Sequence, residues 1–165
     1  MAPPSRDGGT VCRKPIQTAW EVFLAPYDWQ WFATFTFKDA IHPEAAAKRF
    51  RHWVLKLDES NGYRPRSKLT HKRRCAWVRG LEYQKRQVVH FHVLLGNLPW
   101  ALACSAQAAL WADYWLQMGN TGFARIEVCG TSAAAVRYVT KYASKGGEID
   151  VSPNLLRIGE QLAGF

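Results

Sequence analysis

The sequence lacks the features that mark several large classes of protein. No uncharged apolar run approaches the roughly 18 residues of a membrane span, because Glu21, Asp28 and Lys38 interrupt the richest aromatic stretch. Residues 1–15 contain no apolar core of the signal-peptide type, so we expect neither secretion nor a membrane partner. A GxxxxGKS or GxxxxGKT loop is also missing, and we expect no ATPase or helicase motor on this chain.

Cysteine is scarce and scattered along the chain. The four cysteines are Cys12, Cys75, Cys104 and Cys129, and no two of them form a CxxC pair. This spacing argues against a zinc ribbon and against a disulfide scaffold. Unpaired cysteines fit a reducing compartment, and we therefore expect a cytoplasmic protein.

Positive charge is what the sequence has in excess. Its 22 lysines and arginines outnumber its 13 aspartates and glutamates, which gives a formal net charge of +9. A domain this basic most often binds nucleic acid or an anionic membrane surface. The length of 165 residues and the 48% hydrophobic content allow one domain with a proper core.

Hydrophobic periodicity predicts seven elements in the order β-α-β-β-α-β-α. Alternation marks a first strand over residues 29–38, and an apolar stripe at helical spacing marks a helix that begins at Pro43. The later elements are strands at 75–83 and 88–96, a helix from Ser105 to about Gly119, a strand at 122–128 and a helix at 132–144.

The first six elements match the split βαβ plan of ferredoxin-like folds. We therefore predict an α+β fold in which an antiparallel sheet carries helices on one face and the active site on the other, free face. A C-terminal helix that bears tyrosines completes the domain. We place this domain at residues 18–147, between a disordered segment at 1–17 and a tail at 148–165.

Two histidines mark one face of the third strand. In a strand His90 and His92 point to the same side, about 6–7 Å apart along the chain, while Val89, Phe91 and Val93 point to the other. Two imidazoles at this spacing can chelate one metal ion, although two surface histidines also fall at i, i+2 by chance.

A third metal ligand depends on the register of the hairpin. If the loop has three or five residues centred on Arg86, Glu82 pairs with His90 and lies roughly 5 Å away on the same face. A two-residue loop at Lys85 and Arg86 would instead turn Glu82 to the other face. A carboxylate with two imidazoles suits Mg²⁺ or Mn²⁺, with Zn²⁺ as a further fit, and it also serves Fe(II) oxygenases.

Two tyrosines lie one turn apart on the last helix. Tyr138 and Tyr142 are i, i+4 neighbours, with Lys145 near their face and Lys141 at its flank. A separate apolar stripe can carry the core packing, so we expect that the tyrosines are not needed to anchor the helix. Two amphipathic tyrosines at a helix edge would give the same spacing.

A metal beside this tyrosine pair suggests covalent chemistry. A phenol has a pKa of about 10 and is a poor nucleophile at neutral pH, but a nearby cation favours the phenolate. A metal that polarises a phosphate oxygen would let it attack. The product is a phosphotyrosine ester, and two tyrosines permit two successive transfers.

Three segments resemble motifs of the HUH endonucleases, in the order of that family. Phe35–Phe37 resembles the first motif, and His90–Phe91–His92 resembles the histidine–hydrophobic–histidine motif. Tyr138–Lys145 resembles the third motif, with two overlapping YxxK frames. Because the tyrosines follow the histidines, the resemblance is to rolling-circle replication initiators of the two-tyrosine phage or plasmid type.

The resemblance implies a cofactor and a substrate. Glu82, His90 and His92 would hold Mg²⁺ or Mn²⁺ on the scissile phosphate of a single-stranded or hairpin replication origin. The protein would be encoded by a phage or plasmid and act in the cytoplasm of a prokaryotic host. Because it has no helicase domain, a host helicase and a host polymerase would be its partners.

The resemblance also implies a role for each residue of the third motif. Tyr142 would cut first and leave a 5′-phosphotyrosine and a free 3′-OH, and Tyr138 would be the second nucleophile. Lys141 and Lys145 would neutralise phosphate charge or position the tyrosines.

Basic side chains outside these motifs are candidate DNA contacts. They lie in the loop at 64–74, at the hairpin tip and on the strand at 122–128. The candidates are Arg64, Arg66, Lys68, Lys72, Arg73, Arg74, Lys85, Arg86 and Arg125. A solvated, flexible loop accounts for the 64–74 segment equally well.

Three alternatives remain at the level of sequence. A non-catalytic nucleic-acid-binding module of the same fold would bind DNA whether or not a chelator is present. A metal-dependent oxygenase would give no role to the positive charge or the paired tyrosines. An HUH transposase would use the same chemistry on the ends of a mobile element.

Overall fold

Five strands form one antiparallel sheet in the computed structural model, which describes residues 14–84, 87–142, 147–155 and 157. The strands are β1 (Trp29–Phe37), β2 (Ala76–Tyr83), β3 (Val89–Gly96), β4 (Thr121–Val128) and β5 (Ile149–Val151). Their order across the sheet is β4-β1-β3-β2-β5, and neighbouring strands are antiparallel. This arrangement agrees with the predicted ferredoxin-like α+β fold.

Helices pack on both faces of this sheet. They are α1 (Lys14–Leu24), α2 (Pro43–Ser60), α3 (Ser105–Gln117) and α4 (Ser132–Thr140), with a 3-10 helix at Lys68–Arg73. Helices α2 and α3 cover one face, and α1 and α4 pack on part of the other. The second face is therefore not free, as we had expected it to be. Within the described ranges, no helix combines the length and the hydropathy of a membrane span.

Aromatic side chains dominate the core between the sheet and helices α2 and α3. The ring of Phe35 lies at its centre, with its centroid 5.7 Å from that of Phe50, 4.8 Å from Trp53 and 4.7 Å from Trp115. All four rings are fully buried. The strand alternation and the helical stripe predicted from sequence thus meet in one cluster, whose tilted ring contacts add to the effect of burial.

A smaller core lies on the opposite face of the sheet. Val136 and Val139 of α4 pack there with Val78 and Leu94. Because Val78 is the strand partner of Leu94, these two residues present one apolar patch to the helix. Docking on this patch brings the C-terminal end of α4 next to the histidines.

Two segments without a clear sequence pattern belong to the fold. Helix α1 begins at Lys14, inside the 1–17 segment that we expected to be disordered. Strand β5 and the buried Leu155 lie within the 148–165 segment that we expected to be a tail. A three-residue strand is too short for its alternation to be recognised. The Tyr27 hydroxyl donates a hydrogen bond of 3.1 Å to the carbonyl of Leu155 and so fixes this end of the chain.

Replacement of Phe35 by alanine is expected to lower the free energy of unfolding by about 3–5 kcal/mol, because it leaves a cavity among packed rings. Urea unfolding followed by tryptophan fluorescence measures the change. The matched control is Phe123→Ala on neighbouring β4, whose side chain is exposed and which should change stability by about 0.5 kcal/mol or less. Equal losses in the two variants would contradict this description of the core.

Candidate active site

Glu82 and the two histidines lie near one end of the β2–β3 pair. Glu82 is the strand partner of His90, which confirms the register that puts both side chains on one face. Nε2 of His92 is 2.8 Å from Oε2 of Glu82. On the other side of the ring, Nδ1 of His92 is 3.2 Å from Oγ1 of Thr34. The imidazole is therefore held in a fixed orientation between a carboxylate and a hydroxyl group.

The environment keeps both imidazoles neutral. Burial lowers the pKa of His92, the nearby charges of His90 and Lys141 lower it further, and the Glu82 carboxylate acts in the opposite direction. Burial also lowers the pKa of His90. Both rings are therefore in the form that can bind a metal at neutral pH.

The donor atoms of this group fit a divalent cation in kind. Two imidazole nitrogens and a carboxylate are ligands that Mn²⁺ and Zn²⁺ accept, and Mg²⁺ uses carboxylates together with substrate phosphates. The contact between Thr34 and His92 resembles the outer hydrogen bonds that orient metal-binding histidines. Within the described residues, however, no three His, Cys, Asp or Glu side chains already converge as a metal site, since Glu82 and His92 are hydrogen-bonded to each other.

Tyr142 lies in the turn that follows α4 and stacks on His92. The ring centroids are 4.4 Å apart, and the ring planes differ by 2°. Tyr142 is only 3% exposed, so it anchors this end of the helix to the sheet, contrary to our expectation from the sequence. Gly80, the strand partner of His92, makes room for it, because a Cβ at Gly80 would lie 3.4 Å from the Cβ of Tyr142.

Tyr138 is the more accessible tyrosine of the pair, with 40% of its surface exposed. Its hydroxyl accepts a hydrogen bond of 3.2 Å from the hydroxyl of Tyr142. Its ring packs edge-on against Phe32, with centroids 5.1 Å apart. Nζ of Lys141 lies 4.0 Å from the centroid of the Tyr138 ring and 5.1 Å from that of Tyr142. Two hydroxyls and one ammonium group therefore converge beside His92.

The phenol of Tyr142 is stabilised in its protonated form. Burial raises its pKa, and hydrogen bonds to Tyr138 and Glu82 raise it further. Any reaction in which Tyr142 is the nucleophile must therefore remove this proton during the attack. The carboxylate of Glu82 is well placed to receive it, because it bonds both to His92 and to the Tyr142 hydroxyl.

Strand β5 fastens the chain beside Tyr142. The backbone N–H of Gly147 donates a hydrogen bond of 3.0 Å to the carbonyl of Tyr142. Further along, the buried guanidinium of Arg79 donates to Asp150 over 2.9 Å, which ties β5 to β2. A Cβ at Gly147 would lie 2.6 Å from the carbonyl oxygen of Leu81 and 2.9 Å from that of Tyr142. This close approach requires glycine.

The predicted DNA contacts fall at different ends of the sheet. Arg125 is the strand partner of Thr34, so it stands on the same face as His92, and its side chain is exposed. Residues 64–74 precede β2, whereas Glu82 lies near the far end of that strand, about 20 Å away. The structure therefore brings Arg125 to the site and leaves the basic loop at a distance.

Several arginines of the basic loop have contacts within the protein. Nε of Arg74 is 3.5 Å from Oδ2 of Asp58, and its guanidinium lies over the ring of Tyr63. Arg64 and Arg73 donate to backbone carbonyls near the end of α2. Exposed members of the loop are Arg66, Lys68 and Lys72. Lys85, Arg86 and Lys145 lie outside the described residues.

Three residues of the site were not among our candidates: Phe32, Thr34 and Gly80. The alternation of β1 places Phe32 and Thr34 on the face opposite to the main core, and this signal was readable from the sequence. Their proximity to His92 depends on the pairing of β1 with β3. The role of Gly80 depends on where α4 docks, which periodicity does not encode.

Comparison with known proteins assigns the chain to a class. A family model that describes replication-associated proteins of the ORF2 type matches residues 30–147, which is more than half of the chain and includes every residue of this site. No curated protein and no solved structure matches the chain. The match identifies a replication-associated protein. The chain belongs to the ORF2 family of replication-associated proteins.

Replacement of Gly147 by alanine is expected to lower the free energy of unfolding by about 1–3 kcal/mol, because the new methyl group meets two backbone carbonyls. The matched control is Gly130→Ala, where a Cβ meets no atom within 4 Å. Urea unfolding of both variants measures the difference. A Gly147→Ala variant as stable as Gly130→Ala would contradict the close packing of this turn.

Proposed function

We propose that this protein is a metal-dependent HUH endonuclease that initiates rolling-circle replication. It nicks and rejoins single-stranded DNA, at a single-stranded or hairpin origin, through a 5′-phosphotyrosine intermediate. A host helicase and a host polymerase would then extend the free 3′ end. The proposal assigns a reaction to a protein whose family is defined by its association with replication.

One observation carries this proposal. The ring of Tyr142 stacks on His92 at 4.4 Å, and its hydroxyl is bonded to Glu82 and Tyr138. The structure thus joins the two conspicuous sequence features, the histidine pair and the tyrosine pair, in a single cluster. A module that only binds DNA has no need of this cluster, and an oxygenase has no use for its tyrosines.

The proposed reaction is a balanced transesterification. The phenol oxygen of Tyr142 attacks the scissile phosphorus, and the bond from phosphorus to the 3′ oxygen breaks. The downstream strand remains on Tyr142 through its 5′ phosphate, and the upstream strand leaves with a 3′-hydroxyl. Glu82 accepts the phenol proton, and the leaving 3′ oxygen takes up a proton, so that no net proton is consumed. Attack of a 3′-hydroxyl on the phosphotyrosine reverses these steps and joins DNA.

Neighbouring residues support each part of this step. Glu82, His90 and His92 would hold Mg²⁺ or Mn²⁺. When bound, such an ion polarises a phosphate oxygen and offsets the charge that develops in the transition state. Lys141 places a positive charge beside both phenols, which favours the phenolate. Tyr138, exposed and bonded to Tyr142, is the second nucleophile.

Covalent capture on a denaturing gel tests the reaction. The protein is incubated with single-stranded DNA from its own replicon, with Mn²⁺ or with EDTA. We expect a DNA-linked band with Mn²⁺ only. Tyr142→Phe should reduce it roughly a hundredfold or more, because it removes the first nucleophile, and the Tyr138→Phe, Tyr142→Phe double variant should abolish it.

Tyr114→Phe on α3 is the matched control, because it packs with the core on the opposite face of the sheet and should form the adduct as the wild type does. An adduct of equal yield in EDTA would refute the role of the metal. An adduct that persists in the double variant would refute the role of the tyrosines. Intact DNA binding without any adduct, on DNA that contains the cognate site, would favour a non-catalytic binding module.

Arg125→Gln is expected to weaken binding of single-stranded DNA and to reduce its salt dependence. The loss of one phosphate contact should lower the slope of log K against log salt concentration by about 0.7. Fluorescence anisotropy over a salt series in EDTA measures the slope without cleavage. Arg51→Gln, an exposed arginine on α2 behind the sheet, should leave it unchanged. Equal slopes for Arg125→Gln and the wild type would remove Arg125 from the DNA path.

A further inference from the structure

An open cavity of about 510 Å³ lies directly beside the exposed tyrosine, between β4 and α4. Phe32 and Tyr138 form one wall, and the small side chains of Ala134 and Ala135 form another. Cavities of this size are within the range that small-molecule ligands occupy. The cavity reaches the site through Tyr138, whose hydroxyl is bonded to that of Tyr142.

The charged side chain in the lining of this cavity is a carboxylate. Glu127 is the strand partner of Phe32, so its side chain stands next to the aromatic wall on the same sheet face. Oε1 of Glu127 accepts a hydrogen bond of 2.8 Å from Nη2 of Arg125, and about half of the Glu127 side chain is exposed. A carboxylate at this position repels a phosphate group and attracts hydrogen-bond donors.

We propose that this cavity binds one unpaired nucleobase of the DNA strand, adjacent to the cleaved phosphate, and selects a base that carries an exocyclic amino group. The flat base would lie against the aromatic wall, as bases do on single-strand-binding proteins. Its amino group would donate to Glu127, as cytosine N4 donates to acidic side chains. Arg125, beside Glu127, would contact the neighbouring phosphate. The inference relies on the proposed function only for the position of the strand.

The chemistry of the cavity distinguishes the bases. Cytosine and adenine present an amino group that a carboxylate can accept from directly. Thymine presents its N3–H only between two carbonyl oxygens, which a carboxylate repels. The cavity therefore favours cytosine or adenine over thymine at one position of the substrate.

Binding of labelled 12-nucleotide oligomers of dC, dA and dT, measured by fluorescence anisotropy in EDTA, tests this inference without cleavage. For the wild type we expect dC or dA to bind about tenfold more tightly than dT. Ala134→Leu extends a side chain into the cavity and should bring this ratio to about one. Glu127→Gln should also reduce the ratio, since its amide can donate to thymine O4.

Ala133→Leu is the matched control, because Ala133 is an exposed neighbour on the same helix and lies outside the cavity lining. It should keep the wild-type ratio. Equal affinity of the wild type for all three oligomers, or an unchanged ratio in Ala134→Leu, would overturn the inference.

The covalent-capture experiment separates this inference from the proposed function. Base preference lost on Ala134→Leu, together with an absent tyrosine adduct, would keep the cavity as a base-binding site and remove the phosphotyrosine chemistry. A normal adduct without any base preference would remove the cavity and keep the chemistry.

Discussion

The stack of Tyr142 on His92 is the contact on which the rest of the site depends. It requires that β2 carry glycine at position 80, next to His92 in the ladder, because a larger side chain there would occupy the space of the tyrosine. It also requires that α4 dock on Val78 and Leu94, one row further along the same strands. Strand register and helix position therefore determine each other, and a slip of one residue in β2 would remove both the glycine and the docking patch from this face.

The ligand geometry was predictable because it is local. The two-residue period of a strand places His90 and His92 on one face, and a hairpin register places Glu82 among them. The register itself was left open by the sequence, since loops of two and of three residues are both common. The structure has Glu82 opposite His90.

The covering of that face was harder to predict because it is a tertiary event. Val78 and Leu94 alternate in the same rows as Gly80 and His92, and such apolar residues on a supposedly free face indicate a cover. Periodicity shows that α4 has an apolar stripe but does not show which sheet face receives it. The burial of Tyr142 follows from this docking. Strand β5, three residues long, carries too little pattern to be recognised, and its place depends on pairing with β2.

The hydrogen bond between the two tyrosine hydroxyls has one more consequence. Two phenols whose oxygens are 3.2 Å apart titrate as a pair, because the first negative charge opposes the second. At any moment, therefore, at most one of them is an anion, and the other is its hydrogen-bond donor. Ionisation of one phenol switches the other off, so the pair behaves as a single nucleophile that can change its position by 3.2 Å through the transfer of one proton.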